Sequence, residues 1–396
     1  MENRSIIVID ETIREGMQYQ GVVFSQRERE TILEFQEKLG VDICQAGYAP
    51  SHITEHENIK YLNKVAQQRG YKIKIAGMGR ASINDVDTII STGINDFHLH
   101  AHIKNNLDIS DVDNIADTDS KFKEIQEAIY QIRSKVSNSQ ISIAVLDIGT
   151  SSSELLDKIA KFFLNDLCID ILSLPDTSGI MSPDAFYNKI KTLKNNCENY
   201  ISKSHTKISV HCHNDLGMAS ANSIMGVKAG ATVVELSVLG IGERNGIGDI
   251  FTVSKILKDQ GYILNLDTDN VKIFREYYNY VSNICKFQTG EELLNYNTPF
   301  FGDGVRTHVA GTHAKSDFGL FAQKNDSSSK ELTYKKENYY LNVLCGKKLV
   351  KHYLDSIGIT YIPEKLHRIT DMIKSKSAEL GRRLEKEEII DIVLKI

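Results

Sequence analysis

Short runs of apolar and β-branched residues recur along the first two-thirds of the chain, and helical periodicity fills the stretches between them. The runs predict strands at Ser5–Asp10, Val41–Gln45, Lys72–Gly77, Asp96–His100, Gln140–Leu146, Ile169–Pro175, Lys207–His211 and Thr232–Val238. Their starts lie roughly 24 to 44 residues apart, the spacing of strand–helix–strand units. Ser25-Gln26-Arg27-Glu28 is a capping-box pattern that opens a helix reaching Lys38, and Gly40 stands at its C-cap. Ser153 to Phe163 repeats apolar residues at helical spacing. Eight parallel strands alternating with helices predict an α/β fold, a (β/α)8 TIM barrel, over residues 1–268. An open doubly wound sheet is the competing architecture, disfavoured because no Gly-rich turn follows the first strand.

The alternation stops near residue 265. Asp269–Gln288 reads as one helix, and 298–322 is rich in Gly, Phe and His. Asn325 to Lys330 is a polar linker, and Leu366 to Ile396 reads as two charged amphipathic helices. The expected organisation is a catalytic barrel at 1–268, a linker and lid subdomain at 269–330, and a helical C-terminal subdomain at 331–396.

Composition narrows the classes. With 25% charged and 41% hydrophobic residues, the 396-residue chain is neither disordered nor a coiled coil as a whole. Lys and Arg number 47 against 52 Asp and Glu, a net charge of -5, and no basic stripe stands out, so no nucleic-acid partner is expected. No apolar run approaches the ~18 residues of a membrane span. Ile6–Ile9 is too short for a signal-peptide core. Cys44, Cys168, Cys197, Cys212, Cys285 and Cys345 form no CxxC pair, which reads as reduced thiols in a cytoplasmic protein.

In such a barrel the chemistry sits at the C-terminal ends of the strands. The first strand runs into Asp10-Glu11-Thr12-Ile13-Arg14-Glu15-Gly16-Met17-Gln18, presenting Arg14, Glu15 and Gln18. The seventh ends in His211-Cys212-His213, and residues two apart on a strand share a face. Paired imidazoles with a carboxylate and open positions suit a catalytic divalent metal; the other reading is two strand histidines satisfied by hydrogen bonds. Four glycines between Leu239 and Asp249 make a tight loop that presents Glu243 and Arg244, and their order is not a nucleotide fingerprint. Pro175-Asp176-Thr177-Ser178-Gly179 adds a hydroxyl and a carboxylate to the rim. His98, His100 and His102 share a face of the fourth strand, with Lys104 beyond. They read as donors to an anionic substrate, as buried hydrogen-bonded histidines, or as a second metal site.

Taken together, Arg14-Glu15-Gly16-x-Gln18, Asp176-Thr177-x-Gly179, His211-x-His213-Asn214-Asp215-x-Gly217, Ala229-Gly230-Ala231 and Gly240-Ile241-Gly242-Glu243-Arg244 resemble the DRE-TIM metallolyases. Thr307 to Lys315 looks like the lid segment of the condensing branch, and Gly242–Ile247 matches the homocitrate synthase form more than the isopropylmalate synthase form. The resemblance implies an acyltransferase that condenses acetyl-CoA, or a similar acyl-CoA, with a 2-oxo acid and then hydrolyses the thioester. It implies one divalent metal ion (Zn, Mg or Mn) on Glu15, His211 and His213. Arg14, Glu243 and His313 form the implied catalytic set, with His313 as the base. Gln18, Thr177, Arg80, His100 and His102 are the implied substrate-binding residues. A homodimer with a shared lid is expected. The alternatives are a carbon–carbon lyase of the hydroxymethylglutaryl-CoA lyase type and a catalytically weak ligand-binding paralogue.

The chain also departs from the pattern. The Arg that binds the distal carboxylate of 2-oxoglutarate in the homocitrate synthase branch is replaced by Ser142, and a catalytic Glu by Leu146, with Asp147 as a possible substitute. Gln45 stands where an acidic residue is usual. The expected acceptor is therefore not 2-oxoglutarate, unless Lys104, Arg80 or the fourth-strand histidines supply the charge.

Overall fold

The computed structural model describes residues 4–101, 103, 119–145, 147–309 and 338–396. His102, Lys104, Leu146 and His313 lie outside them. The chain divides into two compact units, Met1–Leu293 and Leu294–Ile396.

In the first unit, β1 (Ser5–Asp10), β2 (Ile43–Tyr48), β3 (Lys74–Arg80), β4 (Asp96–Ala101), β5 (Gln140–Val145), β6 (Ile171–Asp176), β7 (Lys207–Cys212) and β8 (Val233–Leu236) each pair in parallel with the next. β8 returns to β1 in the register Ile7–Val233 to Asp10–Leu236, and β1 also pairs with β2. The sheet closes without an edge, so the barrel is the architecture and the open doubly wound sheet is excluded. The hydrophobic runs place all eight strands. Four of them, β2, β3, β6 and β8, start one or two residues later than the runs suggest, and for β2 and β3 the reason is identifiable. The Asp42 carboxylate accepts the Val8 N–H at 2.8 Å, and the Glu37 carboxylate accepts the N–H groups of Lys72 and Ile73 at 3.0 Å. Those side chains end the preceding turns, and the β2 and β3 ladders begin beyond them.

The helix Gln26–Leu39 opens with the full Ser25–Glu28 capping box and ends at Gly40 with φ 77°. The helix Val271–Thr289 belongs to this unit: Tyr277 stacks on Phe35 at 5.2 Å and donates its hydroxyl to Asp10 at 3.0 Å.

Inside the barrel, Ile9, Ile43, Ala76, Ile171 and Val233 make an apolar layer. One pleat further toward the C-terminal mouth the inward positions turn polar: Glu11, Gln45, Ser173 and Glu235, joined by His98 and Ser142, are all buried. This switch from apolar floor to polar layer is what the strands deliver to the site above.

In the second unit the helices Lys347–Ser356, Leu366–Leu380 and Lys386–Leu394 enclose Leu341, Leu349, Val350, Leu354, Ile369, Ile373 and Ile389. Gly381, at φ 64°, separates the last two. No helix among the described residues is long and apolar enough to cross a membrane. All six cysteines are free thiols.

Candidate metal centre and active site

β1 leads into the short helix Thr12–Gly16, which carries Arg14 and Glu15 over the barrel mouth. Strand alternation on β7 turns His211 and His213 the same way, with their Nε2 atoms 3.3 Å apart. Glu15 joins them: one ligand atom from each of the three lies within 4.8 Å of the others, and all three side chains are buried. The protonation of Glu15 and His213 suits a cation. Burial pushes the Glu15 carboxyl up, but Arg14, His211 and His213 together hold it below the ordinary carboxylate range. Burial, then the neighbouring His211, pushes His213 down to about 4, so its ring is neutral and keeps a free lone pair at neutral pH. Two imidazoles and an ionised carboxylate with open positions are a donor set for one divalent ion.

His211 is turned toward this triad from behind. Its Nδ1 lies 3.1 Å from Glu11 Oε2 and 3.3 Å from Glu235 Oε2. Burial disfavours charge on the ring, yet these two carboxylates push it up to about 10. Without an ion the ring therefore holds a proton on both nitrogens; a divalent ion would displace the one on Nε2, while the carboxylates keep the one on Nδ1 and hold the ring's orientation. Glu235 is in turn held by the hydroxyls of Ser173 and Ser209 at 2.7 and 2.6 Å. Neither Glu11 nor Glu235 was picked out from the sequence. The available signal is a carboxylate just past the end of β1 and another inside the otherwise apolar β8.

Arg14 is the hub. It donates to Glu11 Oε2 at 2.7 Å and to Gln18 Oε1 at 2.8 Å, and also contacts Glu15 and Gln45. Burial opposes its charge, but Glu11, Glu15 and Glu235 outweigh that and raise its pKa, so it stays cationic.

The glycine-rich loop after β8 covers the triad closely. The Glu243 N–H donates to Glu15 Oε2 at 3.2 Å, and a Cβ on Gly242 would come within 2.7 Å of the same oxygen. Gly246 has φ 82°, and a Cβ there would sit 1.8 Å from the Gly240 carbonyl oxygen. Arg244 fastens this loop to two others, donating to both carboxylate oxygens of Asp215 at 2.8 and 2.9 Å and to the Thr177 carbonyl at 2.6 Å. Gly242→Ala keeps an allowed backbone but displaces Glu15. Metal affinity is expected to fall by about 10- to 100-fold with the circular dichroism spectrum unchanged. Competition against a chelator measures this; an unaltered affinity would contradict the packing.

These groups face one cavity of about 690 Å³, lined by Arg14, Glu15, Gln18, His100, Thr177, His211, His213 and Glu243 among others. Thr177 Oγ1 accepts the Asp147 N–H at 2.9 Å, leaving its own proton to donate. Asp147 itself, at φ 55°, turns its carboxylate to the hydroxyls of Thr150 and Ser178 at 2.8 and 2.9 Å, and it is not among the cavity-lining residues. His100 lies 3.2 Å from the Tyr48 hydroxyl, and burial lowers its pKa. Arg80 does not line the cavity: Asp85 accepts from its Nε and Nη2 at 2.9 and 2.8 Å. His102 and His313 fall outside the described residues. On the far side Met78, His98, Ser142 and Ala144 line the wall.

The HMGL-like family model matches residues 5–277. A probable 2-isopropylmalate synthase of Methanosarcina acetivorans is 28% identical over 99% of this chain and 75% of its own length. The 2-isopropylmalate synthase of Saccharolobus solfataricus is 28% identical over 100% of this chain and 97% of its own. A homocitrate synthase of Pyrococcus abyssi is 28% identical over 89% of this chain and 91% of its own. Among solved structures, the HMG-CoA lyase of Brucella melitensis superposes with a TM-score of 0.57 at 14% identity, over 71% of this chain and 98% of that one, a likeness of fold. With its barrel matched almost from end to end, and with the Arg14-Glu15 and His211-x-His213 elements meeting at one mouth, the chain belongs to the HMGL-like family of the DRE-TIM superfamily.

Proposed function

We propose that this chain is a metal-dependent synthase that condenses acetyl-CoA with a 2-oxo acid, giving a 2-hydroxy-2-carboxymethyl acid and free CoA. The observation that carries the reading is the buried Glu15–His211–His213 triad beside a cationic Arg14 in one cavity. The names of the relatives that span the chain, isopropylmalate, homocitrate and citramalate synthases, give the reaction class.

The residues divide the work. A divalent ion on the triad would act as a Lewis acid on the acceptor's ketone. The Thr177 hydroxyl, its proton freed by Asp147, donates to the acceptor's carboxylate. Arg14 places fixed positive charge where negative charge grows on oxygen during enolisation and addition. Gln18 fixes one edge of Arg14, and Glu243 stands on the rim. The base that takes the acetyl methyl proton is assigned to His313 by the resemblance alone. Water then cleaves the thioester, so one acetyl-CoA, one 2-oxo acid and one water give the product acid and one thiol.

The lyase reading is disfavoured, since the likeness to HMG-CoA lyases is one of fold at 14% identity. Incubation with hydroxymethylglutaryl-CoA is expected to release no acetyl-CoA, whereas carbon-labelled acetyl-CoA with a cognate 2-oxo acid yields the labelled adduct by mass spectrometry. Cleavage without condensation would reverse the assignment.

We also propose a homodimer in which His313 serves the partner's barrel. Mixing inactive His313→Ala chains with inactive Glu15→Ala chains is then expected to restore part of the activity. No recovery in a mixture shown to contain heterodimers would count against a shared lid.

A further inference from the structure

We propose that Gln45 and His98 form a neutral, one-way hydrogen-bond relay that aims the Arg14 guanidinium, which makes both of them positioning residues for the condensation. The inference rests on the proposed reaction only for its kinetic consequence. The relay starts at Asp96, buried at the foot of β4, whose Oδ1 lies 3.3 Å from His98 Nε2. Burial opposes charge on this ring and Asp96, Glu235 and Glu11 favour it, so its polarity is set from the other end: Arg14 Nε only donates, which leaves Nδ1 to accept and the imidazole proton on Nε2. The Gln45 amide nitrogen lies 2.8 Å from that Nδ1. An amide nitrogen only donates, which turns Gln45 Oε1 the other way, onto Arg14 Nε. Guanidinium only donates in its turn. The two hydrogen bonds of the relay therefore have one allowed polarity, set by the donor Arg14.

The relay crosses a strand. Ala76 on β3 is in register with Gln45 on one side and Asp96 on the other, and its methyl group leaves room for the Gln45 and His98 side chains to meet. Gln45, His98 and Asp96 are each at most 5% exposed, and Gln45 and His98 turn that surface to the cavity.

Neutrality is the point of Gln45. Arg14 already faces Glu11 and Glu15. A glutamate at 45, the residue type the family resemblance favours, would add a third carboxylate. It would also have no N–H for His98, whose Nδ1 would need a proton of its own. Glutamine orients Arg14 without drawing further on its charge, which stays available to the oxygen that becomes negative.

The test is nitrogen-15 NMR on histidine-labelled, zinc- or magnesium-loaded protein, with His98 assigned by its loss in His98→Asn. The expected result is one proton on Nε2 and a bare Nδ1. In Gln45→Glu, His98 is expected to carry both protons at the same pH. There kcat should fall about tenfold or more while KM for the acceptor stays within about threefold. His98→Asn, whose amide oxygen replaces Nδ1 as an acceptor, should keep kcat within about threefold, and His98→Leu should lose as much as Gln45→Glu. A proton on Nδ1 in the unmodified protein overturns the relay, as does Gln45→Glu with unchanged kcat. If the unmodified protein turns over no 2-oxo acid, the proposed reaction fails and the tautomer alone decides the relay.

Discussion

His211→Ala is expected to reduce turnover by about three orders of magnitude or more while the barrel remains folded, because a divalent ion that would act as the Lewis acid would lose one of its three protein ligands. His211 is the ring on which the site converges, with Nε2 beside His213 and Nδ1 between Glu11 and Glu235. Removing it also leaves those two buried carboxylates without their common partner, so some loss of stability accompanies the loss of activity. Global unfolding is not expected, since the apolar layer of Ile9, Ile43, Ala76, Ile171 and Val233 lies below the site and shares no group with it. Activity, bound metal by elemental analysis and a thermal melt on the same sample separate these effects. Full activity in protein free of bound metal would contradict the assignment.

The second large effect concerns the acceptor. 2-Oxoglutarate is expected to be used with a kcat/KM at least about 100-fold below that of the best among pyruvate and 2-oxoisovalerate, since an unpaired buried carboxylate costs several kcal/mol. Glu11, Glu15, Glu55, Glu235 and Glu243 line the cavity, and among the described residues Arg14 is the only Lys or Arg that does. Arg14 is committed to Glu11 and Glu15. Arg80 is held outside by Asp85, and burial pushes His100 toward its neutral form. The small, neutral Ser142 lines the cavity at the position that the resemblance gives to the arginine for a distal carboxylate. Should 2-oxoglutarate lead the panel, Lys104, which lies outside the described residues, is the cation to test, and loss of the preference in Lys104→Ala would assign the counter-charge to it.

Much of this was legible in the chain itself. Strand alternation alone puts His211 and His213 on one face, and the position of Arg14-Glu15 just past the first strand puts them at the same mouth. What the sequence hides are contacts between strands far apart in it. Glu235 meets His211 because β8 lies beside β7, and Glu11 meets it across the closed barrel mouth. Gln45 reads as a departure from a motif until His98 is seen on the other side of Ala76. Arg80 reads as a free cation at a strand end, yet Asp85, five residues on, captures it. The starts of β2 and β3 are displaced for the same kind of reason, since Asp42 and Glu37 use their carboxylates on backbone N–H groups that periodicity assigns to the ladder.

The central claim is most directly tested by following thiol release from acetyl-CoA with the metal-loaded protein, one 2-oxo acid at a time. The account predicts release that requires both a particular acid and the bound ion, and that stops when a chelator strips Glu15, His211 and His213. Release with no acid present, or undiminished release after the metal is removed, would contradict it.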